Sequence, residues 1–162
     1  MPDPARRLCI ITADDFGLHP AVNEAVESAH RIGVLGATSL MVGAPAAQDA
    51  AHRARALPQL RVGLHLTLAD GRSVLPRRQI PDLVDADNRF HDNMAGAGWR
   101  FFALPRVRAQ LAAEIRAQFA AFARFGLQLD HLDAHKHFHP HPTVLSLALR
   151  IGREFDLRAV RV

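Results

Sequence analysis

Short apolar runs alternate with segments of helical period along this chain, and that alternation restricts the possible folds more than any other feature. Leu8-Cys9-Ile10-Ile11-Thr12-Ala13 is apolar on both faces, as a buried parallel strand requires. It runs into a polar turn, Asp14-Asp15-Phe16-Gly17. His19-Pro20 opens a helix with proline at its first position. Val22, Ala25, Val26, Ala29 and Ile32 keep helical spacing, and Gly33 closes the segment. A second strand over residues 38–42, an Ala-rich helix over 45–57 and a third strand over 61–67 follow. This order predicts a parallel sheet with crossover helices.

Residues 68–104 break the pattern. Gly71, Pro76, Pro81, Gly96 and Gly98 punctuate them, and they read as an insertion that covers a substrate. A helix over 105–125 then carries the stripe Val107, Leu111, Ile115, Phe119 and Phe122. A fourth strand over 127–133, a helix from Pro142 with Val144, Leu145, Ala148 and Ile151 on one face, and a fifth strand over 158–162 complete the reading. The expectation is one α/β domain over 1–162: a partial (β/α) barrel-like parallel sheet with crossover helices and a long insertion after the third strand. A homo-oligomer would cover the edges of such a half barrel.

Composition removes several classes. Hydrophobic residues make up 49% and charged residues 22%, as in an ordinary globular domain. No apolar run reaches the roughly 18–20 residues of a transmembrane segment. The apolar run after the N-terminus is too short for a signal peptide, so a cytoplasmic location is expected. The formal charge is +4, but the arginines are scattered rather than gathered in a stripe with aromatics, which argues against a nucleic-acid partner. Lys136 is the lone lysine, and Cys9, the lone cysteine, is expected to be a packed core thiol.

In parallel α/β folds the working residues gather at the carboxyl ends of the strands. There this chain places Asp14-Asp15, His65 and the run His131-Leu132-Asp133-Ala134-His135-Lys136-His137-Phe138-His139. If the run is extended, His131, Asp133, His135, His137 and His139 share one face. So many imidazoles aimed one way need water, a metal or a substrate. Two imidazoles and a carboxylate suit Zn²⁺, Mn²⁺, Fe²⁺, Co²⁺ or Ni²⁺, or Mg²⁺ with water completing the shell. Of two adjacent carboxylates, one can bind the ion while the other takes a proton from water.

Thr12-Ala13-Asp14-Asp15-Phe16-Gly17-Leu18, Gly63-Leu64-His65 and the 131–139 run together resemble the YdjC-like family, which includes chitooligosaccharide deacetylases. The flanking sequence is most similar to its hopanoid-biosynthesis branch. The resemblance implies a metal-dependent hydrolase that removes acetyl groups from an N-acetylated sugar or glycolipid precursor. It implies one divalent ion, Mg²⁺ or Zn²⁺, held by Asp15, His65 and His135, with Asp14 as general base. His137 and His139 are then candidate substrate-binding residues. Family members are longer and carry a C-terminal His near a Pro-Gly that this chain lacks. The chain is therefore expected to be short of its C-terminal part, and His137 or His139 would have to supply the general acid. Two other readings stay open: a metal-dependent sugar isomerase or lyase, and a non-catalytic, partner-dependent metal-binding module.

Overall fold

The computed structural model describes residues 9–91 and 93–161. Four parallel strands, β1 (Thr12–Phe16), β2 (Ala37–Leu40), β3 (Arg61–Leu66) and β4 (Leu132–Ala134), form one sheet in the order β1-β2-β3-β4. Each crossover steps to the adjacent position in the same direction, and right-handed crossovers of that kind put the connecting helices on one face. This is the order of a barrel segment, and among the described residues the sheet is open. The helices are α1 (Pro20–Ile32), α2 (Ala47–Arg55), α3 (Met94–Ala103), α4 (Pro105–Arg124) and α5 (Pro142–Gly152).

The strands alternate as their pleat demands. Phe16, Leu40, Val62, Leu64, Leu66 and Leu132 join one apolar core with Val26 of α1, Leu111, Ile115 and Phe119 of α4, and Ile151 of α5. The other face is polar and carries Ser39, His65 and Asp133 in mutual contact. The expected α4 stripe is buried as its spacing requires, but Glu114 and Gln118 are buried beside it. Glu114 accepts hydrogen bonds from the Val74 and Leu75 N–H groups, and Gln118 bonds both the N–H and the carbonyl of Thr67. These two side chains moor the start of the insertion to the helix layer.

Several elements differ from the sequence reading. The expected strand over 8–13 is shifted: Leu8 lies outside the described residues, and β1 begins at Thr12. Cys9, Ile10 and Ile11 are exposed, so the expected burial of the thiol is corrected. They lie at the amino end of β1, where none of the described layers covers them. Asp14 and Asp15 lie inside β1 rather than in a turn beyond it. The insertion contains a helix, α3, capped by the Asn93 side chain on Gly96 N–H. It also contains a hairpin closed by antiparallel bridges between Arg72 and Arg89 and between Val84 and Phe90. The expected fourth strand over 127–133 shortens to Leu132–Ala134. The expected fifth strand reduces to one parallel bridge between Leu132 and Val160, with Val162 outside the described residues.

Candidate functional site

The site begins with a backbone irregularity. Ala13 pairs with Thr38 and Phe16 pairs with Leu40, so Asp14 and Asp15 together face the single residue Ser39. Two residues against one is a β-bulge, which re-aims side chains. Asp15 takes φ 60, a conformation aspartate tolerates better than most residues. In a regular strand these neighbours would point to opposite faces. Here both carboxylates serve the polar face. Gly17, at φ 97 and close against Ala47 and Leu40, turns the chain out of the strand. Asn23 of α1 fastens that turn by accepting from Gly17 N–H and donating to the Ala46 carbonyl.

Three ligand atoms converge there. Asp15 Oδ1 lies 3.2 Å from His65 Nε2 and 2.9 Å from His135 Nδ1, and the two nitrogens are 3.3 Å apart. Donors each ~2.0–2.1 Å from one ion, at tetrahedral or octahedral angles, stand roughly 2.9–3.4 Å apart. The triangle therefore fits a small divalent cation, and the chemistry of the donor set agrees. Asp15, at 35% exposure, leaves the site open to solvent while His65 is 2% exposed.

The support around the triangle is equally specific. His65 Nδ1 lies 2.7 Å from Asp133 Oδ1, and Asp133 is fully buried. Nδ1–H donates to that carboxylate, leaving the Nε2 lone pair for the triangle, as carboxylate-backed histidine ligands do. Burial opposes charge on this imidazole, but the bonds to Asp133 and Asp15 outweigh it and hold its pKa at about 9. Hydrogen bonding from His65 in turn pulls the Asp15 carboxyl below its ordinary range, against the effect of partial burial. Burial pushes Asp133 upward, yet His65 and Arg161 bring it below its ordinary value. Without an ion, the charge on protonated His65 is shared between the Asp15 and Asp133 carboxylates.

Arg161 was not singled out by the sequence. Its guanidinium makes two 2.7 Å hydrogen bonds to the Asp14 carboxylate and forms an ion pair with Asp133, Nη2 lying 3.0 Å from Oδ2. It is placed by backbone pairing, since Arg161 N–H donates to the Leu132 carbonyl. Asp14 also comes within 4.8 Å of a ring nitrogen of His65. The only available signal was position, at the carboxyl end of the fifth strand-like segment.

The histidine run does not share a face. Extended backbone stops at Ala134, and a 3-10 turn over His135–His137 follows, with Lys136 at φ 54 and His137 at φ 53. This turn swings His135 toward Asp15 and leaves His137 exposed. His139 is 3% exposed, and burial keeps its pKa below the ordinary histidine value. His131 packs against Gly63 and bonds Asp130, outside the triangle. The structure thus brings Asp14, Asp15, His65 and His135 together; His137 and His139 are not part of the triangle, although buried His139 feels the charges of Asp133 and Arg161. A groove of about 500 Å³ between α4 and α5, lined by Arg108, Ala112, Leu147 and Arg150 among others, involves none of these residues.

Residues 8–162 match the family model described as YdjC-like protein. The chain is 36% identical over 146 residues to a carbohydrate deacetylase of Brevibacillus brevis, covering 90% of this chain and 56% of that protein. It is 35% identical over 148 residues to a carbohydrate deacetylase of Vibrio cholerae, covering 91% and 56%. A crystal structure from Enterococcus faecalis, named for a provisional role in cellobiose-phosphate cleavage, superposes with a TM-score of 0.78 at 32% identity, over 93% of this chain and 57% of that one. The chain spans somewhat more than half the length of these relatives.

Proposed function

Since the chain belongs to the YdjC-like family, we propose that it carries the metal-binding part of a hydrolase that removes the acetyl group from an N-acetylated sugar. The observation that carries this reading is the triangle of Asp15 Oδ1, His65 Nε2 and His135 Nδ1, with edges of 2.9–3.3 Å. Its similarity to carbohydrate deacetylases supplies the substrate class.

Asp15, His65 and His135 would hold one divalent ion, Zn²⁺ or Mg²⁺. The chemistry such an ion supplies is polarisation of the acetyl carbonyl and acidification of a water. Asp133 keeps His65 in the tautomer that presents Nε2. Asp14 is the general base, and it takes the attacking water's proton on a carboxylate oxygen. Arg161 holds that carboxylate in place, and each of its oxygens retains a lone pair beyond the one Arg161 engages. Water oxygen bonds to the acetyl carbon, the proton that Asp14 took passes to the sugar nitrogen as the C–N bond breaks, and acetate leaves. The hairpin and α3 of the insertion would border the sugar, and His137 and His139 are the histidines that would meet it. Among the described residues no helix is long and apolar enough to cross a membrane, and we take the substrate to be met in the cytoplasm. A hopanoid-linked glycolipid precursor is the finer reading.

The test is acetate release from N-acetylglucosamine oligomers and from an N-acetylated glycolipid, with the ion content of the same sample measured. Asp14→Asn is expected to keep the ion and lose acetate release. A parent chain that holds one ion yet releases acetate from neither substrate would favour the metal-binding module over the hydrolase.

A further inference from the structure

Six non-glycine residues among those described have positive φ, and four of them, Asp15, Asp70, Lys136 and His137, lie in or beside the candidate site. Left-handed backbone is costly for residues with a Cβ, and such strain persists only where the surroundings enforce it. For Asp15 the bulge and the two imidazoles enforce it. The His135–His137 turn has two consecutive left-handed residues, so it needs a comparable restraint. Phe138, buried in the apolar core, anchors its far end. Its near side is tied by an ion pair: Lys136 Nζ lies 2.7 Å from Asp70 Oδ2. Asp70 sits four residues past β3, itself at φ 45. The pair therefore joins the exit of the strand that carries His65 to the turn that carries His135. The Asp70 carboxyl is held below its ordinary range, chiefly by its bond to Lys136.

We propose that Asp70 and Lys136 are a positioning pair, which pins the strained turn so that His135 Nδ1 meets Asp15 Oδ1 and His65 Nε2. Neither contributes a ligand atom to the triangle. This rests on the metal reading above. The pair also makes a prediction opposite in sign to simple electrostatics. Lys136 is a cation next to a cation site, so if it acted only through its charge, neutralising it would tighten binding of a divalent ion. If it positions His135, neutralising it loosens binding.

The experiment is calorimetric titration of the metal-free chain with Zn²⁺ for the parent, Lys136→Met, Asp70→Asn and the double variant. Lys136→Gln provides a second neutral replacement, and Glu154→Gln is a remote ion-pair control. Both side chains of the pair are 42% exposed, so the fold should survive each change. The strength of an exposed pair sets the expected effect at about 2- to 5-fold weaker binding for each single variant. The double variant should be no weaker than either single, and the control should match the parent. Unchanged or tighter binding in Lys136→Met and Lys136→Gln, or additive losses in the double variant, would overturn the positioning role. A parent that binds no ion would overturn the metal reading, and the pair's role with it.

Discussion

The protonation of His65 gives a test of the centre that needs no substrate. Its pKa is about 9 in the folded chain and about 6.5 when unfolded, so the metal-free protein holds a proton there that the unfolded chain does not. A raised folded pKa contributes stability that is complete below the unfolded value and disappears as pH rises through the folded one. Between about pH 6.5 and 9 each unit removes roughly 1.4 kcal/mol, a total of about 3 kcal/mol. Asp15 and Asp133 are the same interactions seen from the carboxylate side, with their window below about pH 4, so they add nothing here. For a domain of this length 1 kcal/mol corresponds to roughly 2–4 °C, so the metal-free chain should melt about 6–12 °C lower at pH 9 than at pH 6.5. A divalent ion reverses the sign, because it replaces the proton. Its apparent affinity should rise about tenfold per pH unit up to pH 9 and then level off. The assay is thermal unfolding by circular dichroism at several pH values, after chelation and again after adding Zn²⁺. Asp133→Asn should flatten the metal-free slope, since it removes the carboxylate that supports His65 most. A metal-free melting temperature that stays level or rises between pH 7 and 9 would refute the reasoning.

Other outcomes follow from single contacts. His135→Ala should lower the ion content from about one per chain to near zero by elemental analysis, with the fold retained, because His135 packs at the surface of the site rather than in the apolar core. Glu114→Ala should cost about 2–4 kcal/mol in urea unfolding, because it strands the Val74 and Leu75 N–H groups, whereas Glu114→Gln, which keeps an acceptor, should cost less. Gly63→Ala should destabilise by about 1–3 kcal/mol in the same assay, since a Cβ there would stand 2.6 Å from the His131 ring.

The parts legible in the sequence were those governed by period and by strand ends. Apolar runs marked β2 and β3, the stripe from Val107 to Phe122 marked α4, and Pro20 and Pro142 marked the starts of α1 and α5. The strand-end rule put Asp14-Asp15, His65 and the histidine run on one rim. Residues that act through geometry were hidden. The bulge at Asp15 leaves no mark on a period-two pattern. The left-handed turn at Lys136 and His137 breaks an alternation that the letters still display. Arg161 looks like any of the scattered arginines until backbone pairing with Leu132 carries it to Asp14. Glu114 and Gln118 read as the polar side of α4, and only the insertion folding over them makes that side internal. α3 is hidden because Gly96 and Gly98, both in its first half, weaken its helical signal.

The mooring of the insertion decides which of its positions are free to change. Gln118 grips Thr67 at the strand exit, Glu114 grips Val74 and Leu75, and Phe90 N–H returns to the Gly71 carbonyl. The chain thus leaves and re-enters at nearly the same place, and the stretch between sends Ile80, Leu83 and Val84 into the apolar core. The freedom to vary therefore falls on its exposed positions, Arg77, Arg78, Gln79 and Asp87, rather than on the loop as a whole. Substitutions there would change the insertion's outer surface while leaving its anchors, and the polar cluster around His65, in place.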